Sequence, residues 1–86
     1  MEIIFHNKFL KLYRKTPLKV QEKFEECITL FHKNPFDQKL RNHSLLGIWS
    51  SFRSIDITGD WRVIYRQQNK AVAEFYAIGK HGQLYK

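Results

Sequence analysis

The chain has 86 residues, 43% of them hydrophobic and 15% aromatic. That length bounds the fold to one domain, residues 1–86, with a modest core, and the hydrophobic content is too high for a disordered chain. Its 15 Lys and Arg against 8 Asp and Glu give a net charge of +7 with histidine neutral, a bias that favours a polyanionic partner.

A single cysteine, Cys27, excludes an intramolecular disulfide and disfavours a cysteine-based metal site. The N-terminus lacks the basic-then-apolar layout of a signal peptide, and no apolar run approaches the length of a membrane span. The expectation is a cytoplasmic protein with no membrane partner. The 7 Phe, 4 Tyr and 2 Trp offset the small size, since each ring buries a large area.

Glu2-Ile-Ile-Phe5 is short, apolar and β-branched, and its consecutive apolar residues predict an inner strand. Asn7 is a plausible helix N-cap, and Phe9, Leu10, Leu12 and Tyr13 recur at helical spacing, predicting a helix over about 7–15. Thr16-Pro17 then reads as an N-cap followed by proline at the first helical position, where its missing N–H has no partner to lose. Val20, Phe24, Cys27, Ile28 and Phe31 form one apolar stripe, so an amphipathic helix is expected over about 17–33. Asn34-Pro35 ends it. On that stripe Cys27 reads as a small buried hydrophobe rather than a reactive thiol.

Residues 34–50 show no clean periodicity. Leu40, Leu45, Leu46 and Trp49 suggest a loop pinned to the core by apolar anchors, and a loop of that length in a small domain is often functional. It carries Lys39, Arg41 and His43. Three strands follow, at about 51–57, 61–67 and 72–78. The predicted fold is α+β, in the order β-α-α-β-β-β: an antiparallel sheet with two helices packed on one face and the other face open to a substrate.

Strand parity specifies the first hairpin more closely. A two-residue Thr58-Gly59 loop would set Ile55 opposite Arg62 and mix apolar with polar residues. A three-residue loop, Thr58-Gly59-Asp60, sets Ile57 opposite Trp61, Ile55 opposite Val63 and Asp56 opposite Arg62. It leaves one coherent apolar face, and glycine at a left-handed position suits such loops. The longer loop is therefore expected.

The polar residues of this region fit RNA cleavage by attack of a 2′-OH on the adjacent phosphate. That reaction needs a base or orienting group, a cation for the phosphate oxygens and an acid for the leaving 5′-oxygen, and it requires no metal or other cofactor. His43, Asp60, Arg62 and His81 are the candidates. Histidine titrates near neutrality, and the arginine fork matches phosphate. Trp61 and Tyr85 are rings against which a base could stack. Lys80, next to His81, and Asp56 complete the candidate binding set. Each has a plainer reading: surface histidines, a turn aspartate at 60, a core tryptophan at 61. Arg53 reads as an ion-pair partner or a phosphate binder, and its parity with the apolar side favours the structural role. His6 and His32 read as structural. No Gly-rich phosphate loop, nucleophile elbow or close metal-ligand spacing occurs.

Four segments together resemble the RelE/ParE superfamily of type II toxins, and in particular the YafQ-like mRNA interferases. They are His43-Ser-Leu-Leu-Gly47, Phe52-Arg53, Gly59-Asp-Trp-Arg-Val-Ile-Tyr65 and Ile78-Gly-Lys-His-Gly-Gln-Leu-Tyr85. The resemblance covers nearly the whole chain. It implies a toxin that cuts mRNA in the ribosomal A site, so that the ribosome is a partner too, and thereby stops translation. His81 would be acid or base, and Asp60 and His43 would handle or orient protons. Trp61 and Tyr85 would contact RNA, and Arg62 would bind the scissile phosphate. One departure stands out: Asp56 occupies a position where YafQ-like toxins carry a further histidine. An aspartate donates no proton at neutral pH unless its pKa is strongly raised, so Asp56 either orients Arg62 or the acid–base pair is assigned differently here. The resemblance also implies an acidic cognate antitoxin, with operator DNA bound only through the toxin–antitoxin complex. The alternatives are a ParE-like toxin that binds DNA gyrase without nuclease activity, and an inert member whose antitoxin complex only binds operator DNA.

Overall fold

The computed structural model describes residues 1–85, so the last residue of the expected 1–86 domain lies outside the described residues. Five strands and three helices run in the order β1 (Glu2–Phe5), α1 (Asn7–Arg14), α2 (Leu18–Lys33), β2 (His43–Ser44), β3 (Arg53–Thr58), β4 (Trp61–Gln67), β5 (Val72–Lys80) and α3 (His81–Leu84). The sheet order is β1-β5-β4-β3-β2. The expected antiparallel meander is β3-β4-β5, and β1 joins it parallel to β5, which makes the sheet mixed.

β1 is therefore an edge strand, not the inner strand that its apolar run predicts. Its Ile4 and Phe5 stay partly exposed. The run is apolar because Ile3 packs against the core while Phe5 meets Phe9 and Phe75 from the rim, at centroid distances of 5.3 and 5.9 Å.

One face of the sheet carries the core: Ile55, Ile57, Val63, Tyr65, Ala73, Phe75 and Ile78. Phe9 of α1 and Val20, Phe24 and Phe31 of α2 pack onto it, so the two helices cover one face as expected. Phe31 meets Tyr65 and Phe75 edge-on at 5.1 and 5.3 Å, an arrangement that adds to simple area burial.

The helix starts differ from expectation. His6, not Asn7, caps α1, its Nδ1 accepting from the Lys8 N–H at 3.0 Å. α2 begins at Leu18, with Pro17 in the capping position and no side-chain cap. Thr16 turns away because its hydroxyl donates to the Tyr13 carbonyl at 2.7 Å, which closes α1 rather than opening α2. Cys27 is half-buried beside the stripe, its Sγ 3.7 Å from the carbonyls of Asp56 and Ile57. Burial, then the nearby Glu26 carboxylate, raises its pKa, as the structural reading requires.

Residues 34–50 hold two 3-10 turns, Gln38–Leu40 and Gly47–Trp49, on either side of β2. Leu40 is a true anchor, fully buried. Leu46 is not: it and Ile48 are 87% and 88% exposed. The positive φ of Gly47, 67°, turns the chain there and points both side chains outward. Asn42 does the pinning instead. Its Nδ2 donates to the Pro35 carbonyl at 2.9 Å and to the buried Tyr65 hydroxyl at 2.6 Å, while its Oδ1 accepts from Arg53 Nε at 2.7 Å. Arg53 thus takes the structural role, its guanidinium also lying 5.2 Å over the Phe36 ring.

In the hairpin, Ile55 pairs with Val63 and Asp56 with Arg62, as parity requires. The loop differs. Thr58, not Ile57, pairs with Trp61, and the register shifts between Asp56 and Thr58. A bulge at Ile57 therefore supplies the extra residue that a three-residue loop would have supplied, and Gly59-Asp60 makes a two-residue turn. Gly59 takes a φ of 52° there.

Among the described residues no helix is long and apolar enough to cross a membrane.

Candidate functional site

Paired residues on neighbouring strands point to the same side of a sheet. On the face away from α1 and α2, His43, Ser54, Ile64 and Ala77 form one row across four strands. Asp56, Arg62 and Gly79 form the next, nearer the hairpin turn. The first row explains why Ser54, Ile64 and Ala77 are buried although no long helix covers them: the C-terminal tail does.

That tail is the short helix α3, which has no periodic signal in the sequence. It is held at four points. The His81 N–H donates to the Asp60 carbonyl at 3.0 Å, tying the start of α3 to the hairpin turn. The Gln83 side chain folds back to accept from the Lys80 N–H at 3.0 Å. Leu84 lies so close over Gly79 that a Cβ there would stand 3.3 Å from its Cδ2, so this glycine sits where the tail crosses the sheet. Tyr85 then spans β4 and its hydroxyl donates to Ser54 Oγ at 3.0 Å.

The His81 ring lies edge-on to Tyr85 at 4.6 Å between centroids. His81 itself is exposed, at the rim of the face. On the other flank, Tyr85 rests on Ser54, the strand partner of His43. His43 Nδ1 is 2.9 Å from the Arg41 carbonyl. A carbonyl only accepts, so Nδ1 carries the hydrogen and, in the neutral ring, Nε2 is left as the acceptor. That is the tautomer a general base needs.

Arg62 and Asp56 occupy the row next to that of His43 on the same face. Arg62 Nε is 2.9 Å from Asp56 Oδ1, with side chains 19% and 20% exposed. Arg62 Nη1 also donates to the carbonyls of Gly59 and Trp61 at 2.8 and 3.0 Å. These contacts fix the plane of the guanidinium and leave Nη2 without a partner among the described residues. Asp56 is thus the ion-pair partner of Arg62 in this fold, the arrangement in which a carboxylate orients a guanidinium.

The face thus brings together His43, Asp56, Arg62 and Tyr85, with His81 at its rim. It does not gather the other candidates. Trp61 lies on the opposite side of β4 with Val63, half-buried against the core, and Lys80 is its partner on β5. Asp60 is exposed at the tip of the turn, linked to the site through its carbonyl bond to His81. Two contributors escape a reading by residue type. Ser54 carries no signal beyond its parity with Asp56, and Arg41 lies in a stretch without periodicity. A third feature is an aromatic cluster flanking the same face: Phe52 stands 5.3 Å from both Trp49 and Tyr76. Among the described residues no group of three or more His, Cys, Asp or Glu side chains is arranged to hold a metal ion.

The fold is shared with solved toxins. YafQ from E. coli strain BL21(DE3) superposes with a TM-score of 0.83 at 22% identity, covering 99% of this chain and 98% of that one. The YoeB/ParE toxin from Agrobacterium tumefaciens gives 0.78 at 21% identity over 94% and 99%. YafQ in the E. coli DinJ–YafQ complex gives 0.75 at 23% identity over 99% and 98%. No curated protein sequence matches the chain. A family model described as the bacterial toxin of type II toxin-antitoxin systems, YafQ, matches residues 1–86. The chain belongs to the YafQ family of bacterial toxins of type II toxin-antitoxin systems.

Proposed function

We propose that this toxin is an endoribonuclease that cuts mRNA in the ribosomal A site and so stops translation. The 2′-OH attacks the adjacent phosphorus, the P–O5′ bond breaks, and the products are a 2′,3′-cyclic phosphate and a free 5′-hydroxyl. The observation that carries this reading is the placing of His43 and one partly free guanidinium on a single sheet face, with His81 at its rim against Tyr85. His43, with Nε2 as acceptor, takes the proton of the 2′-OH. Arg62 offers Nη2 to the phosphate oxygens, where charge grows in the transition state. His81 gives a proton to the leaving 5′-oxygen. Tyr85 holds the His81 ring and presents its own ring edge to a base, while Asp60, exposed at the turn beside it, lines the approach; Trp61 and Lys80, on the other side of the sheet, take no direct part. The nucleophile belongs to the substrate, so the protein has only to position groups and move protons, and no metal or cofactor is required.

The partner that restrains the toxin is an acidic antitoxin. E. coli YafQ is seen in a toxin–antitoxin complex with DinJ, and a net charge of +7 suits an acidic segment lying along the same face. Operator DNA is reached only through that complex.

The experiment is induction of the wild-type chain and of His81→Ala in growing cells, with the 5′ ends of mRNA mapped. The expected result is growth arrest with cuts in phase with the reading frame, and loss of both in the variant. Intact mRNA with damaged DNA would move the activity to gyrase, and an absence of any toxicity would leave only binding through the antitoxin complex.

A further inference from the structure

Arg41 is the cation of this face that the chemistry above leaves unused. It follows the 3-10 turn Gln38–Leu40 with a φ of 49°, and among the described residues it alone combines a Cβ with a left-handed backbone. A side chain disfavours that conformation, so the surroundings must hold it. Two backbone bonds do. Its N–H donates to the Gln38 carbonyl at 3.2 Å, and its carbonyl accepts from His43 Nδ1 at 2.9 Å. The turn sends the side chain toward β3, where its Nε lies 3.5 Å from Asp56 Oδ2.

Asp56 therefore stands between two guanidinium groups. Oδ1 takes Arg62 and Oδ2 takes Arg41. Stability does not account for the second contact. The Arg41 side chain is 78% exposed, and a long ion pair in that setting contributes little. What the contact does is fix a direction. Each arginine spends its Nε edge on the carboxylate. Both Nη atoms of Arg41 are then without a partner among the described residues. Two cations around one anion leave a net positive charge, and a planar fork matches the paired oxygens of a phosphodiester.

We propose that Arg41 is a second phosphate-binding residue, engaging the RNA phosphate that neighbours the one held by Arg62, with Asp56 as the positioning residue that spaces the two guanidinium groups. The proposal rests on the ribonuclease reading and deepens it: the site grips the strand at two successive phosphates, on the His43 side as well as the hairpin side. The backbone of Arg41 sets the His43 tautomer while its side chain holds the strand, so base and substrate are aligned by one residue.

The test uses the full chain and two readouts. The first is affinity for a short single-stranded RNA, 2′-O-methylated throughout so that it cannot be cut, at several salt concentrations. The second is cleavage of mRNA on programmed ribosomes at saturating toxin. Arg41→Ala is expected to weaken oligonucleotide binding about tenfold and to lower the slope of log affinity against log salt by about 0.7, the loss of one phosphate contact on a single strand. Arg41→Lys keeps the slope and loses part of the affinity. Asp56→Asn removes a negative charge, so it binds RNA at least as tightly as wild type yet cuts about tenfold more slowly, a split that a merely structural defect does not produce. Thermal melts of each variant check folding.

Wild-type affinity and slope in Arg41→Ala overturn the phosphate site while leaving the nuclease reading intact. Conversely, a wild-type protein that binds through Arg41 but cuts nothing overturns the nuclease reading and leaves the phosphate site standing. Wild-type cleavage by Asp56→Asn overturns the positioning role.

Discussion

Tyr85 reaches across β4 to donate its hydroxyl to the buried Ser54 at 3.0 Å, and this bond fastens the C-terminal tail over the sheet. The two residues are 31 apart in sequence, so the tail's position is a tertiary fact. Because the His81 ring leans on Tyr85, the same bond steadies a proposed catalytic side chain.

Tyr85→Phe keeps the ring against His81 but leaves the Ser54 hydroxyl without its side-chain partner in a dry setting. The expected cost is about 1–2 kcal/mol by urea denaturation. Adding Ser54→Ala removes the orphaned group and restores part of that loss. In cleavage assays Tyr85→Phe retains most activity, whereas Tyr85→Ala, which frees the tail, lowers it by about tenfold or more. Equal activity of the two variants would show that the tail's fastening does not matter to the reaction.

Asn42 ties three segments together through Pro35, Arg53 and the Tyr65 hydroxyl. Tyr65 is fully buried, so Asn42→Ala strands its hydroxyl as well as releasing Arg53. A loss of about 2–3 kcal/mol is expected, since each buried unsatisfied group costs about 1–3 kcal/mol. A urea midpoint within error of wild type would mean that water replaces the amide.

What was legible in the sequence follows from periodicity. Val20, Phe24 and Phe31 mark α2 because one face of a helix repeats over several turns. Ile55 and Val63 on one side, with Asp56 and Arg62 on the other, follow from the period of two in a strand. The bulge at Ile57 was not legible, because a longer loop and a bulge give the same pairings beyond it. Nor was the edge position of β1, since an apolar run records burial but not which strand lies beside it. Leu46 misleads for a related reason: apolar type suggests an anchor, and the turn at Gly47 decides otherwise. At the candidate site, residue types pointed to His43, Arg62 and His81. The Asp56–Arg62 pairing was legible from parity, but the contacts of Tyr85 with Ser54 and of Arg41 with Asp56 were not, because they join segments far apart in the chain.

Gly59 tests the turn directly. Its φ is 52°, and a Cβ built there meets nothing within 4 Å, so a side chain is opposed by the backbone alone. Gly59→Ala is expected to cost about 1 kcal/mol. Gly59→Asn should cost less, because asparagine tolerates the left-handed region better. Chemical denaturation of the pair measures this. An alanine variant as stable as wild type would require the turn to have changed its conformation, and a loss of the Asp60 carbonyl bond to His81 would then appear as faster exchange of the His81 amide.

Cys27 and Tyr13 set the response to alkali. Burial raises both pKa values, with the carboxylates of Glu26 beside Cys27 and Glu25 beside Tyr13 adding to it. A raised pKa means that the folded protein holds these protons more tightly than the unfolded chain does. Their contribution to stability is then complete below the unfolded values and is lost as pH rises through the folded ones. For the thiol the loss begins at about pH 8.5, and for the phenol at about pH 10. Denaturation midpoints should therefore fall from about pH 8.5 upward in the wild type. Cys27→Ala removes the earlier part of that fall, at the cost of a small cavity that lowers stability equally at every pH. Alkylation of native Cys27 should likewise be much slower than that of an exposed thiol at the same pH, because the thiolate is scarce and its Sγ faces two backbone carbonyls. A Cys27→Ala protein whose stability falls with pH in parallel with wild type between about pH 8.5 and 10 would assign the loss in that range to a group other than Cys27.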